Sequence, residues 1–161
     1  MLVVATHNSH KTDEIRTMLN AVVGGVADLT QFPDIPPADE TGTTFEANAT
    51  IKAMAACAAL PPDTWVLGDD SGLEIVALGG APGVYSARYS GERATDSSNR
   101  QKLLRELEAN GVRGRERSGR FRCALVLAKT GEEAIICDGA VEGIIANEEK
   151  GHGGFGYDPV F

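Results

Sequence analysis

Two adjacent aspartates, Asp69 and Asp70, have the residue types and spacing best suited to metal-assisted chemistry in this sequence. They follow the apolar residues 64–68, which predict a short buried strand, and they precede Ser71 and a glycine. Because adjacent carboxylates repel each other, a buried strand end that carries both costs free energy unless a cation or basic group offsets their charge. Mg²⁺ does so through one or two carboxylates and keeps water and phosphate oxygens as other ligands. On these residues alone, a metal site and a solvated turn are both open interpretations.

A second acidic pair, Asp39 and Glu40, lies in the loop before a predicted helix. It could add a carboxylate to the same metal site, although acidic residues in such loops are usually only solvated. Lys52 lies within that alanine-rich helix, where an exposed lysine is ordinary.

A polar segment joins a predicted strand, residues 2–5, to a predicted helix. Its residues are Thr6, His7, Asn8, Ser9, His10 and Lys11. The backbone N–H groups and the dipole at a helix start favour an anion, and the Thr, Asn and Lys side chains add hydrogen-bond donors. The segment lacks the glycines of a Walker A loop, so an ordinary helix cap is the alternative to a phosphate cradle.

The glycine-rich residues 151–158 are the last candidate. Glycines let a backbone approach a ligand closely, and Phe155 or Tyr157 offers an aromatic face that suits a nucleobase. An ordinary surface loop has the same composition, so this signal is weak by itself.

The elements that must position these residues are predicted from apolar periodicity and capping signals. The first helix has its apolar face at Ile15, Met18, Leu19 and Val22, and a Thr43/Glu46 capping box precedes a helix over residues 47–60. A third helix covers residues 96–110, and residues 33–37 and 111–119 are predicted loops. The predicted strands are residues 2–5, 26–32, 64–68, 73–78, 121–128, 133–137 and 141–146. No repeat or linker divides the chain, so residues 1–161 are predicted to form one domain around a mixed sheet, of α/β or α+β class.

Composition limits the function classes. The chain has 161 residues, with 15 Lys and Arg against 23 Asp and Glu, so its formal net charge is −8. This balance argues against nucleic-acid binding, which needs clustered basic residues. No run approaches the roughly 18–20 apolar residues of a membrane span, and the N-terminus lacks a signal-peptide pattern. We therefore expect no membrane partner and a cytoplasmic location, with Cys57, Cys123 and Cys137 as small core residues rather than disulfides.

Several short motifs occur in order along nearly the whole chain, and together they are far more specific than any one alone. They are Ala5-Thr6-His7-Asn8 with Lys11 and Glu14, Glu40-Thr41-Gly42, Thr44-Phe45, Asn48-Ala49, Lys52-Ala53, Asp69-Asp70-Ser71-Gly72-Leu73, Leu78-Gly79-Gly80-Ala81-Pro82-Gly83-Val84-Tyr85-Ser86-Ala87-Arg88-Tyr89-Ser90-Gly91 and Gly153-Gly154-Phe155-Gly156-Tyr157-Asp158-Pro159-Val160-Phe161. In this combination the chain resembles the inosine triphosphate pyrophosphatase family, which hydrolyses non-standard purine nucleoside triphosphates. The resemblance implies an elongated α/β protein with a central mixed sheet flanked by helices, a cleft between two lobes, a homodimer and a requirement for Mg²⁺.

The implied reaction converts a nucleoside triphosphate and water to the monophosphate and pyrophosphate. By resemblance, the turn from Thr6 to Lys11 holds the triphosphate, and Lys52 adds positive charge. Asp70 accepts the proton of the attacking water. Asp70 and Asp69, with an acidic residue of the 39–40 pair, hold the metal.

The same resemblance assigns nucleotide contacts to a second set of residues. They are Ser71, Phe155, Gly156, Tyr157 and Asp158. Among them Phe155 is the candidate for stacking on the purine.

The chain departs from the family pattern at two places. Ala47 stands where many relatives carry Glu before the Asn-Ala pair, which puts any metal or water contact by that Glu in doubt. Relatives also continue past the Gly-Tyr-Asp-Pro segment with a Lys and a Ser-His-Arg motif that contact the nucleotide, whereas this sequence stops at Phe161. For a form that ends there, we expect weak turnover and poor base discrimination.

Two other functions are open at this point. A Maf-like nucleotide pyrophosphatase shares the strand-turn-helix start and similar chemistry but prefers different bases. A nucleotide-binding module without turnover would bind triphosphates and release no phosphate.

Overall fold

A computed structural model describes residues 1–19, 21–151 and 154–161 of the chain. Within these residues five strands form one mixed sheet in the order β2-β1-β3-β4-β5, and β1 pairs in parallel with both β2 and β3. The strands are β1 (Leu2–Val4), β2 (Val26–Asp28), β3 (Trp65–Ile75), β4 (Ser118–Ala128) and β5 (Ile135–Ile144). The α-helices are α1 (Ser9–Leu19), α2 (Phe45–Ala59) and α3 (Asp96–Ala109). The predicted α/β class with a central mixed sheet flanked by helices is confirmed.

Helices α1 and α2 lie on opposite faces of the sheet. The β1-α1-β2 connection steps outward from β1, and the β2-α2-β3 connection returns past β1 in the other direction. Because crossovers between parallel strands are right-handed in nearly all proteins, connections that run in opposite directions place their helices on opposite faces. Side chains on the two faces of β3 therefore meet different helices.

The chain divides into two compact units. The first unit comprises Met1–Asp70 and Ala124–Asp138, and the second comprises Ser71–Cys123 and Gly139–Phe161. The predicted elongated shape with a cleft between lobes stays a prediction.

The core of the first unit depends on close approach of α2 to β3. Val3, Val4 and Val66 are fully buried in the strands. A Cβ atom at Gly68 would collide with the Ala49 carbonyl and lie 2.9 Å from the Ala53 Cβ. Glycine at position 68 is therefore what lets the alanine-rich face of α2 pack against the strand that carries the two aspartates.

The core of the second unit forms around α3. Leu103 and Leu107 on that helix are fully buried, as the apolar periodicity predicts, and they pack with Leu73, Ile75 and Val160. The capping box of α3 uses Thr95 and Ser98.

Several strands of the sheet have other bounds than the sequence predicts. Residues 69–72 are not a turn, because β3 runs unbroken from Trp65 to Ile75. The predicted strands 133–137 and 141–146 are one strand, β5. Strand β2 is shorter than residues 26–32, because Asp28 accepts from the Thr30 amide and caps a 3-10 turn over Leu29–Gln31.

The first two helices also differ from prediction. In α1 the only fully buried residue among those described is Thr12, Ile15 and Leu19 are half-buried, and Met18 is 74% exposed. The helix ends before Val22, and its buried stripe passes through positions 12, 15 and 19 because it packs along β2. Helix α2 is capped by Thr44, whose Oγ1 accepts from Ala47 N at 3.1 Å, rather than by Thr43.

Two further predictions are wrong. Cys57 is buried as expected, but Cys123 is half-buried and Cys137 is exposed on the edge strand β5. The predicted loop 111–119 contains a 3-10 turn, and its Arg117 is buried because its guanidinium donates to the carbonyls of Ile145 and Ala146 at 2.7 and 2.6 Å.

Among the described residues, no helix is both long enough and apolar enough to cross a membrane.

Candidate functional site

The two aspartates lie in the middle of β3 and point to opposite faces of the sheet. Successive side chains on a strand alternate between faces. Asp69 Oδ2 lies 2.5 Å from the Lys11 ammonium on α1, whereas Asp70 Oδ1 lies 2.9 Å from the Lys52 ammonium on α2. Both carboxylates are almost completely buried. A basic partner on each side explains why an acidic pair can continue the strand instead of ending it.

Lys52 is at the centre of the group on the α2 face. Its ammonium lies 2.9 Å from Glu40 Oε1 and 2.9 Å from Asp70 Oδ1, and it donates to the Asp69 carbonyl at 3.0 Å. An ammonium has three N–H donors, and these three oxygens match them. Its side chain is only 13% exposed, so the expectation of an ordinary exposed lysine is wrong.

Asn48 connects Asp70 to the loop that carries Glu40. Its Nδ2 donates to Asp70 Oδ2 at 3.2 Å, and its Oδ1 accepts from Gly42 N at 2.8 Å. The side chain is fully buried on α2. Asn48 belongs to one of the motifs that carry the resemblance, which implies no role for it. Its position four residues before Lys52 on one helix face is the signal that could have identified it.

Burial and the nearby Lys52 ammonium have opposite effects on the pKa of the Asp70 carboxyl. Burial raises its pKa above the ordinary aspartate value, and the Lys52 ammonium and the Asn48 amide offset only part of that rise. For Lys52, burial lowers the pKa, but attraction to Asp70 and Glu40 outweighs burial, so the pKa lies above its ordinary value. Asp70 is therefore a carboxylate with increased proton affinity next to a firmly protonated lysine.

The oxygen donors on the α2 face suit a divalent cation. Glu40, Asp70 and the Asp69 carbonyl already surround one cationic group, the Lys52 ammonium, and carboxylate and carbonyl oxygens are the ligands that Mg²⁺ accepts. Asp39 is exposed, and the Asp69 carboxylate lies on the other face with Lys11. The set thus has two carboxylates and one carbonyl, and within residues 1–19, 21–151 and 154–161 no group of three or more His, Cys, Asp or Glu side chains is arranged to hold a metal ion.

The polar turn before α1 is held by its own side chains. Thr6 Oγ1 accepts from Asn8 N at 3.1 Å, and Asn8 Oδ1 accepts from His10 N at 3.0 Å, which makes Asn8 the helix cap. His7 Nε2 donates to Ile35 O at 3.1 Å and ties the turn to the proline-rich loop. Ser9, like its neighbours from His7 to His10, is exposed.

A cavity of about 160 Å³ in the first unit adjoins these groups. Thr6, His7, Glu40 and Lys52 contribute its polar wall, and Leu29, Ile35 and the two adjacent prolines contribute apolar surface. The turn and the Lys52 group therefore face one shared space.

The remaining predicted contacts, Ser71 and the 155–158 turn, belong to the second unit. Phe155 is half-buried and Asp158 is exposed. Tyr157 is almost completely buried in the core, and its hydroxyl donates to Ser86 O at 2.8 Å. The Tyr157 ring supports the turn from within the core, and the predicted nucleotide contact of the turn stays a prediction.

The charges of the group formed by Lys11, Glu40, Lys52, Asp69 and Asp70 favour a phosphate substrate only together with a cation. Three carboxylates against two ammonium groups leave one net negative charge. A triphosphate brings about four more negative charges, so a bound divalent cation would be needed to reverse the local potential. Chemically, the group offers a proton acceptor, two positive charges that attract phosphate, and a set of oxygen atoms that can bind a metal ion.

Comparison with known proteins gives matches over nearly the whole chain. The sequence profile of the Ham1 family matches residues 2–161. A dITP/XTP pyrophosphatase of Exiguobacterium sp. is 48% identical over 160 residues, which are 99% of this chain and 79% of the relative. A dITP/XTP pyrophosphatase of Bacillus subtilis is 46% identical over 159 residues, which are 99% of this chain and 78% of the relative. The solved structure of a HAM1 protein from Coxiella burnetii is similar with a TM-score of 0.85 and 42% identity, over 99% of this chain and 80% of that chain.

Proposed function

Because the chain belongs to the Ham1 family, we propose that it hydrolyses ITP, dITP and XTP to the nucleoside monophosphate and pyrophosphate. The observation that carries this proposal is the buried Asp70 carboxylate, held between Lys52 and Asn48 in a chain 48% identical to a dITP/XTP pyrophosphatase. This activity would remove non-standard purine nucleotides from the nucleotide pool.

The reaction is a water attack on the α-phosphorus. The water oxygen forms a bond to that phosphorus, the bond from the phosphorus to the oxygen that bridges to the β-phosphate breaks, and pyrophosphate leaves. Asp70 takes the proton of the water, for which its raised proton affinity is suitable. The turn from Thr6 to Lys11 holds the triphosphate, with Lys11 on its phosphate oxygens, and Lys52 adds positive charge nearby.

Mg²⁺ is the proposed cofactor, and Asp70 and Glu40 with the carbonyl of Asp69 would hold it. When bound, the metal supplies charge neutralisation on the phosphates and polarises the phosphorus toward attack. Asp69 keeps Lys11 in place on the other face of β3.

Base recognition is assigned to Ser71 and to the turn with Phe155, Gly156 and Asp158. Phe155 stacks on the purine through its ring. Tyr157 fixes the turn through its hydrogen bond to Ser86.

A homodimer in the cytoplasm is part of the proposal. Strand β5 is an edge strand of the sheet, and its Ile135 and Ile136 are exposed. Exposed apolar residues on an unpaired edge are typical of surfaces that pair with another chain.

The Maf-like alternative is not favoured, because the matching family profile and the relatives are those of Ham1 proteins and dITP/XTP pyrophosphatases. A binding module without turnover predicts nucleotide affinity with no product.

The test is incubation with ITP, XTP and the four common triphosphates, with and without Mg²⁺, while monophosphate and pyrophosphate are measured. We expect both products in equal amounts and only with Mg²⁺, with weak turnover and little preference for ITP and XTP in a form that ends at Phe161. Orthophosphate with a nucleoside diphosphate as the first products would overturn the proposal.

A further inference from the structure

Two side chains of α3 hold one residue of the glycine-rich turn by both of its backbone polar groups. Asp96 Oδ2 accepts from Gly156 N at 2.8 Å, and Arg100 Nη1 donates to Gly156 O at 2.6 Å. All three residues belong to the second unit. Asp96 and Arg100 are four residues apart, which places them on the same face of the helix.

The position of Arg100 is defined on several sides. Its Nη2 donates to Glu149 Oε2 at 3.0 Å, and its side chain is only 12% exposed. Among the hydrogen bonds of the described residues, Arg100 Nε is buried with no partner. A buried N–H group without a partner costs free energy, so packing alone does not explain why the guanidinium lies here.

The turn is held by hydrogen bonds and contains two glycines in the left-handed region. Gly156 has φ +58° and Gly154 has φ +75°, both in the region that favours glycine. Asp158 Oδ2 accepts from Phe155 N at 2.9 Å, and the buried Tyr157 hydroxyl donates to Ser86. The ring of Phe155 is therefore carried on a backbone that is held on both sides.

Phe155, Asp96 and Arg100 also line one open pocket of about 550 Å³ in the second unit. A change in the Gly156 hydrogen bonds would alter the wall of this pocket next to the Phe155 ring. Neither Asp96 nor Arg100 was among the candidate residues, because an acidic residue at a helix start and an arginine four residues later are ordinary helix features.

We propose that Asp96 and Arg100 are positioning residues for base binding, because together they fix the Gly156 backbone and so present Phe155 to the purine. This inference rests on the proposed function, in which Phe155 stacks on the base. Neither residue takes part in phosphate binding, so the effect of changing them is confined to the nucleoside part of the ligand.

The two reaction products separate these contributions in an equilibrium titration with Mg²⁺, since neither requires turnover. Inosine monophosphate reports the base contact, and pyrophosphate reports the phosphate contact. We expect Asp96→Ala and Arg100→Met each to weaken inosine monophosphate binding roughly tenfold, the scale of losing one well-placed hydrogen bond, and to leave pyrophosphate affinity within about twofold.

Two control variants distinguish positioning from stability. Asp96→Asn keeps an oxygen that accepts from Gly156 N, so it should restore most of the inosine monophosphate affinity. Arg105→Met removes an exposed arginine of the same helix and should change neither affinity. Circular dichroism checks that each variant is folded, and Arg100→Met provides the test if Asp96→Ala is not.

The outcomes are distinguishable. Unchanged inosine monophosphate affinity in both Asp96→Ala and Arg100→Met, or a parallel loss for both products, overturns the positioning role and leaves the proposed function intact. If the unaltered chain binds neither product, the proposed function fails and this inference fails with it.

Discussion

At the scale of single residues, Lys52 and Asp70 form the contact on which the site most depends. Lys52 neutralises two buried or half-buried carboxylates and is itself only 13% exposed. The family resemblance indicated both residues. The local sequence pattern alone predicted an ordinary surface lysine at position 52. Its burial depends on Glu40 and Asp70, which are 12 and 18 positions away in the chain, and helix periodicity contains no information about such partners.

Asp70→Asn tests the proton acceptor directly. Asparagine keeps the shape and can still accept from Lys52, and burial already disfavours the charged form at this position, so the variant should stay folded. Turnover should fall about 10²- to 10⁴-fold, the usual range for losing a positioned acid-base group. The initial rate of pyrophosphate release measures this effect, with the exposed Asp34→Asn as control. A rate near that of the unaltered protein would remove Asp70 from this role.

Lys52→Met should destabilise the protein in a pH-dependent way. Without the ammonium, burial raises the pKa of Asp70 further above its unfolded value. A carboxyl of this kind favours the folded state at low pH, and that contribution is lost as pH rises through the folded pKa. The loss in free energy of unfolding should therefore be smallest near pH 4 and largest at pH 7, where it is at most about 3–5 kcal/mol.

Urea unfolding of Lys52→Met at several pH values measures this dependence. Lys129→Met is the matched control, because its ion-pair partners Asp63 and Glu132 are both exposed and such surface pairs contribute at most about 1 kcal/mol each. Addition of Asp70→Asn to Lys52→Met should recover part of the loss at pH 7. A loss that is the same at pH 4 and pH 7 would contradict the electrostatic explanation.

At the scale of elements, helices α2 and α3 were predicted well because each combines a capping residue, an apolar face and a clear stop. The errors occur where tertiary contacts determine where an element begins or ends. The cap of α2 is Thr44, one residue after the predicted Thr43, since both threonines fit the local pattern. The sequence predicts a strand end at Asp69-Asp70, because carboxylates seldom continue a buried strand. Lys11 and Lys52, which allow the strand to continue, come from two helices.

Gly68→Ala tests the packing of α2 against β3. Its new Cβ would collide with the Ala49 backbone, which cannot rotate away as a flexible side chain could. We expect a loss of roughly 1–3 kcal/mol in unfolding free energy, the usual cost of overpacking a core, with lower activity because Asn48 and Lys52 move with the helix. Gly24→Ala is the control, because nothing lies within 4 Å of a Cβ there. Equal stability of the two variants in thermal or urea unfolding would show that this approach is not tight.

At the scale of the whole molecule, the candidate site combines residues from distant parts of the chain. Glu40, Asn48 and Lys52 come from the loop and helix before β3, and Lys11 comes from α1 on the other face of the sheet. No single motif contains this set. The family resemblance indicated Glu40, Lys52 and Lys11 but gave Asn48 no role. The placement of the two aspartates on opposite faces required the sheet order β2-β1-β3.

In the second unit, the sequence alone could not separate the roles of the two aromatic residues in the glycine-rich turn. Composition indicated a loop with an aromatic face, and both Phe155 and Tyr157 fitted that description. Only packing separates them, because Tyr157 is buried with its hydroxyl bonded to Ser86 and Phe155 is half-buried.

Hydrolysis of ITP in ¹⁸O-labelled water tests the central claim most directly, because it reports which phosphorus the water attacks. With Mg²⁺ present, the proposed reaction places the label in inosine monophosphate and leaves the pyrophosphate unlabelled. The same label position in residual product from Asp70→Asn would show that the variant slows this reaction without changing it. Label in the pyrophosphate, or in released orthophosphate, would contradict water attack at the α-phosphorus and with it the assigned role of Asp70.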